Sequence, residues 1–187
     1  MTGLTEAGVS EKITAAYRKR IGKALGQLGI DAALAESRGL TLFAEARRLS
    51  FVGLGTDGRD KMLDPKAARA WLAMRKAARR DGGDLLIISG FRSVEFQVEL
   101  IRGKIAKGRT LDEVLKVNAP PGYSEHHTGC AVDVGFEGCP PLDAAFEYTP
   151  AFAWLQANAQ RFGFSMTYPR GNAQGYLYEP WHWRFRA

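Results

Sequence analysis

All three histidines of this 187-residue chain fall in two short stretches, Ser124-Glu125-His126-His127-Thr128-Gly129-Cys130-Ala131-Val132-Asp133 and Glu179-Pro180-Trp181-His182. The stretches combine imidazoles with carboxylates, the donor types of a catalytic zinc site. Such a site keeps three protein ligands and leaves the fourth position open. His126, Asp133 and His182 fit that count, and Glu179 stands near enough to His182 in sequence to serve as a base. His127 competes with His126, because neighbours on an extended segment point apart and one of the two reaches a metal. Asp133 lies in the otherwise apolar run Ala-Val-Asp-Val, where a carboxylate is costly to bury unless it is paired or bound to a metal. A structural salt bridge is the alternative there. Cys130, between Gly129 and Ala131, reads as a small buried residue rather than a further ligand.

The elements that would carry these groups follow from capping and periodicity. Ser10 can cap a helix running to about Leu28, with Ile13, Tyr17, Ile21, Leu25 and Leu28 on one stripe. Shorter helices are predicted after Asp31 and over Thr41 to Leu49. Gly53 to Gly58 reads as a loop. Asp64-Pro65 opens a helix to about Arg80, with Ala68, Trp71, Leu72 and Met74 inward. Leu85 to Ser89 is a strand, and Ser93 caps a helix from Val94 to about Lys107. Arg92 therefore sits at a strand-to-helix junction, where loops on a rigid scaffold present groups to a cleft, with Gln97 one turn on. Thr110 to Glu113 is a capping box. Cys130 to Val134 is a strand, Thr149-Pro150 starts the last helix, and Phe164 to Tyr168 and Tyr176 to Phe185 are the closing strands. In the last of these, alternation puts Trp181, Trp183 and Phe185 on one face and His182 with Arg184 on the other. Glu179, three residues from His182, would point away in a straight strand, so Pro180 implies a bend. A helical first half followed by strands joined through loops predicts an α+β fold, an antiparallel sheet covered by helices.

The composition, 45% hydrophobic and 25% charged, is that of a globular chain able to bury its own core. No apolar run is long enough to span a bilayer. The first 22 residues lack the apolar core of a signal peptide, which leaves a cytoplasmic site, a removed leader with an envelope location, or another export route open. A net charge of +6 permits attraction to a polyanion. Aromatics do not interleave with the basic clusters, however, and no nucleic-acid motif is present. Oligomeric state is left open, a monomer being compatible with everything read. Cys130 and Cys139 could pair in an oxidising compartment, although spacing does not show that they meet.

Ser89-Gly90-Phe91-Arg92-Ser93 with Gln97, then Ser124-Glu125-His126 through Gly129, Ala131, Val132 and Asp133, then Glu179-Pro180-Trp181-His182, resemble the three motifs of the VanY-type D-alanyl-D-alanine carboxypeptidases. These are M15 zinc peptidases that share the Hedgehog/DD-peptidase fold with the VanX dipeptidases. The resemblance covers roughly residues 60–187 and implies a zinc peptidase domain over 61–187, with residues 1–60 as a helical segment packed on it. It implies Zn2+ held by His126, Asp133 and His182, with Glu179 as catalytic base and Arg92 at the scissile carbonyl or the substrate carboxylate. Gln97, Ser124 and Tyr168 would line the substrate pocket. His127 stands where many relatives have glutamine, and Trp183 where many have tyrosine. The implied reaction is removal of a terminal D-alanine from a peptidoglycan stem peptide or precursor. L,D-carboxypeptidase, D-Ala-D-Ala dipeptidase and wall endopeptidase are rival activities, and a zinc-containing cell-wall binding module is the non-enzyme rival. Retention of Glu179 weighs against that last reading, because a structural zinc needs no base.

Overall fold

Asp64 accepts the backbone N–H of Lys66 at 2.8 Å, and Pro65 follows at the first helical position, so the longest helix of the fold starts where its sequence demands. The computed structural model describes residues 13–186. In chain order the elements are α1 (Ala15–Gly26), α2 (Ala32–Ser37), β1 (Ser50–Leu54), β2 (Asp60–Leu63), α3 (Pro65–Arg80), β3 (Leu86–Ser89), α4 (Val94–Ala106), α5 (Leu111–Leu115), β4 (Ala131–Gly135), α6 (Pro150–Asn158), β5 (Phe164–Met166) and β6 (His182–Phe185). A 3-10 turn over Glu125–Thr128 precedes β4, and two more flank α6. No helix among the described residues is long and apolar enough to cross a membrane.

β3, β4, β6 and β5, in that spatial order, make an antiparallel sheet. Its register matters more than its size. Asp133 on β4 lies opposite His182 on β6, and Val132 lies opposite Trp183. Because successive side chains alternate between faces, Val132, Val134 and Trp183 enter the core while Asp133 and His182 share the other face. The core face is covered by α3 and α6, whose Trp71, Met74, Ala78 and Leu155 are buried against those strands. A second apolar cluster joins α1, α4 and α5 through Tyr17, Ile21, Leu25, Val94, Val98, Ile101 and Val114. The antiparallel sheet with its helical cover is the architecture expected from the order of elements.

Several local expectations are corrected. Ser10 lies outside the described residues, and α1 is capped instead by Thr14, whose hydroxyl accepts the Tyr17 N–H at 3.1 Å. Thr41 to Leu49 is not a helix. Its backbone is spent on long-range partners, Phe43 N–H on Gly122 O at 2.8 Å and Ala46 N–H on His127 O at 2.8 Å, and such tertiary bonds override a weak helix propensity. The Gly53 to Gly58 loop shrinks to the turn of a hairpin, with Gly53 and Leu54 inside β1. Leu72 faces out, 46% exposed, because it lies about a quarter turn round from Trp71. The last strand begins at His182 rather than Tyr176. Pro180 has no N–H to give a ladder, and the His182 N–H instead closes a turn on Glu179 O at 3.1 Å. Cys130 and Cys139 are free thiols.

Candidate metal centre and substrate cleft

The turn that carries the adjacent histidines ends at Gly129, with φ +68°. A Cβ there would stand 2.7 Å from the Asp64 nitrogen, so only glycine lets this turn close onto the start of α3. Gly90 is equally constrained, since its Cβ would meet Met62 O at 2.7 Å. These two close approaches press the Gly90 carbonyl and the His126 imidazole together. His126 Nδ1–H donates to Gly90 O at 2.7 Å, which fixes the tautomer and leaves Nε2 to face Asp133 Oδ2 at 3.2 Å.

His182 completes the cluster from β6. Its Nδ1 lies 3.0 Å from Asp133 Oδ1, and its Nε2 lies 2.9 Å from Glu125 Oε2. The ligand-type atoms of His126, Asp133 and His182 all lie within 4.8 Å of one another, and all three residues are buried. His127 does not join them. Its Nδ1–H donates to Arg92 O at 2.7 Å and its Nε2 accepts the Gly122 N–H at 3.0 Å, so both ring nitrogens are consumed. Burial holds its pKa down at about 4, and the ring is a neutral brace between two loops. Which neighbour faces the cluster is thus settled by the turn, since His126 and His127 sit on a 3-10 turn and not an extended strand.

Electrostatics follow from burial and partners. Burial resists ionisation of Asp133, but His126 and His182 hold it well below the usual carboxylate range. Burial likewise opposes charge on His182, and its bonds to Asp133 and Glu125 outweigh that, raising it to about 10. Glu125 is pulled to about 2 against its own burial by His182 and Arg184, and Arg184 Nη1 donates to it at 2.9 Å. Glu179 is the exception. Burial dominates and pushes its carboxyl up to about 7, since the nearby His182 and Arg92 only partly offset the loss of water and the negative Asp133 adds to it.

Arg92 donates to Ser89 Oγ at 3.3 and 3.2 Å, to Gln97 Oε1 at 3.3 Å and to Asp133 Oδ2 at 3.0 Å. Gln97 lies fully buried behind it, its Nε2 donating to Ala119 O at 2.8 Å. His126, Asp133, His182, Glu179 and Arg92 line one cavity of about 440 Å³, and Ser124 and Tyr168 line it as well. Tyr168 stacks on His182 with ring centres 4.7 Å apart. The turn at Glu179–His182 resolves the directional problem of a straight strand, bringing Glu179 to the same cavity.

Glu125 is the residue that sequence reasoning missed. The signal was partial: His182 and Arg184 share a strand face, and a histidine ligand needs an acceptor for its other N–H. Nothing in the spacing says that the acid next to His126 reaches across to β6. Glu125→Gln should weaken Zn2+ affinity by roughly 10–100-fold, the usual cost of losing an outer partner, and competition with a chromophoric chelator would read it. Unchanged affinity would mean that Glu125 serves only Arg184.

Comparison with known proteins adds an independent line. A family model described as VanY, D-alanyl-D-alanine carboxypeptidase, matches residues 60–187. A D-alanyl-D-alanine carboxypeptidase of Enterococcus faecalis is 36% identical over 119 residues, 58% of this chain and 42% of that protein. The chain thus spans less than half the length of that curated relative. Among solved structures, the LdcB LD-carboxypeptidase aligns with a TM-score of 0.67 at 31% identity, covering 75% of this chain and 69% of that one. A VanY D,D-pentapeptidase from a VanB-type resistance cassette, in complex with Zn(II), aligns with a TM-score of 0.56 at 29% identity over 74% and 79% of the two chains.

Proposed function

The chain belongs to the VanY family of D-alanyl-D-alanine carboxypeptidases, and from that premise we propose that it is a zinc-dependent peptidase releasing the terminal D-alanine of peptidoglycan stem peptides or their precursors. The observation that carries the reading is the convergence of His126, Asp133 and His182 with the buried Glu179 in one cavity. The donor set fits zinc: two imidazoles and a carboxylate, with the far nitrogen of each imidazole already bonded to Gly90 O or Glu125. Zinc, when bound there, supplies Lewis acidity that polarises a carbonyl and acidifies water.

The chain's own groups supply the rest. Glu179, with an affinity for protons near neutrality, accepts the proton of the attacking water and returns it to the leaving amine. Arg92, held by Ser89, Gln97 and Asp133, keeps a fixed positive charge on the cavity wall where an oxyanion would develop. Ser124 and Tyr168 bound the space into which the peptide end fits.

The test is a paired measurement of metal content and D-alanine release from a stem pentapeptide, with an L,D-linked tetrapeptide beside it. About one zinc per chain with release from the pentapeptide is the expected result. Release from the tetrapeptide alone would replace the reading with an LD-carboxypeptidase, the activity of the LdcB neighbour. Zinc without release from either would overturn the carboxypeptidase reading in favour of an endopeptidase or a binding module.

A further inference from the structure

A carboxypeptidase must receive a free carboxylate, and Arg92 is one residue that could take it. Its donors, however, are largely engaged by Ser89, Gln97 and Asp133. The same cavity is lined by two further cations, Lys104 and Arg109. Among the described residues, neither has a carboxylate partner within ion-pairing distance. Lys104, at the end of α4, is half-buried, and its Nζ donates to Asn118 Oδ1 at 3.0 Å. Asn118 is itself fixed, with its Nδ2 donating to Val114 O at 2.9 Å. One donor of the ammonium is therefore tied to a rigid acceptor and two remain.

Arg92 is paired with Asp133, but Lys104 and Arg109 add two further cations to the same cavity lining without an ion-pair partner of their own, which is unfavourable. Burial and the two guanidiniums all depress the affinity of Lys104 for its proton, and only Glu179 acts the other way. An arrangement of this kind is stabilised by an anionic ligand. Ala119, next to the Asn118 that holds Lys104, packs in one apolar cluster with Tyr168 and Tyr176, which also line the cavity, so the acceptor of Lys104 sits on a firm base.

We propose that Lys104, with Arg109 beside it in the cavity lining, binds a free carboxylate of the substrate, leaving Arg92 to hold Asp133 and face the scissile carbonyl. The inference rests on the peptidase reading and deepens it by naming the residue that receives the substrate's carboxylate. That carboxylate is either the terminal one of the leaving residue or one on a side chain further up the peptide.

The test separates binding from turnover. The 187-residue protein carrying Glu179→Gln and loaded with zinc is titrated by calorimetry with four peptides: an acyl-D-Ala-D-Ala acid, its terminal amide, and a longer pair differing only in a side-chain acid or amide. Lys104→Met in that background should weaken one of the acid peptides roughly tenfold or more relative to its amide, as loss of a charge-assisted bond does. The pair that discriminates identifies which carboxylate is held. Lys104→Arg should restore most of the affinity. Equal loss for acid and amide, or no loss, overturns the proposal. Turnover by the unsubstituted protein decides the peptidase reading separately. If it cleaves none of the peptides that reading fails, and the calorimetry still decides the role of Lys104.

Discussion

Glu179→Gln should lower kcat by about 10²–10⁴-fold, the usual contribution of a positioned general base, while the chain still holds one zinc. Glutamine preserves the volume and cannot accept a proton, so the ligand geometry at His182 is left in place. The pH profile carries the more specific expectation. Burial raises the carboxyl to about 7, and a cation in the adjacent triad would favour the ionised form. The acid limb of kcat/KM should therefore lie at or below pH 7 in the loaded enzyme and vanish with the glutamine. Stability offers a second readout on metal-free protein. The folded-state pKa lies above the ordinary value of 4.5, so the group favours the fold below about pH 4.5, and that advantage is lost as pH rises through 7. The full difference corresponds to about 3 kcal/mol. Metal-free Glu179→Gln should then be more stable than the parent at pH 8 and indistinguishable from it at pH 4. A wild-type rate in the glutamine variant would remove Glu179 from the chemistry.

Much of the site was legible because its chemistry is local. Asp64-Pro65, Ser93, Thr110 and Thr149 each cap the helix they announce, and the alternation that sets His182 with Arg184 apart from the aromatics is the one β6 uses when it brings His182 opposite Asp133. What escaped was non-local. The β1–β2 hairpin and the extended Thr41 to Leu49 segment owe their shapes to partners far away in sequence. The partners of His127 and Glu125 are of the same kind, 35 and 57 residues distant. No window of sequence contains them.

The same distinction gives the N-terminal segment a physical role. Residues 13–49 lie outside the matched region, yet they brace the site from behind. Glu45 accepts the Val94 N–H at the head of α4 and binds Arg20, which also grips Glu95. Phe43 and Ala46 donate to the loop that carries both adjacent histidines, and the Phe43 ring lies under the Arg184 guanidinium at 4.7 Å. Arg184 in turn holds Glu125, and Glu125 holds His182. The segment is thus continuous, through packed groups, with the metal centre.

Asp133 is the point where every chain of contacts ends, and its removal should have the second of the two largest effects. Asp133→Ala deletes the proposed carboxylate ligand and, with it, the carboxylate acceptor of Arg92 Nη2 and a partner of both site histidines. A three-ligand site reduced to two imidazoles should lose stoichiometric zinc in the presence of a mild chelator. The metal-free chain should also lose about 3–5 kcal/mol of stability, the usual result of orphaning a buried charge, because Arg92 keeps its charge and its remaining acceptors are neutral. Asp133→Asn separates the two effects. Its carbonyl can still accept from Arg92, so the stability loss should shrink, whereas a neutral amide is a poor zinc ligand and metal retention should fall nearly as far as in the alanine variant. Denaturant melts on metal-free protein and zinc retention after dialysis would measure the two. Full zinc retention in Asp133→Ala would mean that the carboxylate orients Arg92 and His182 without binding the metal, and the ligand set would have to be drawn again around His126 and His182.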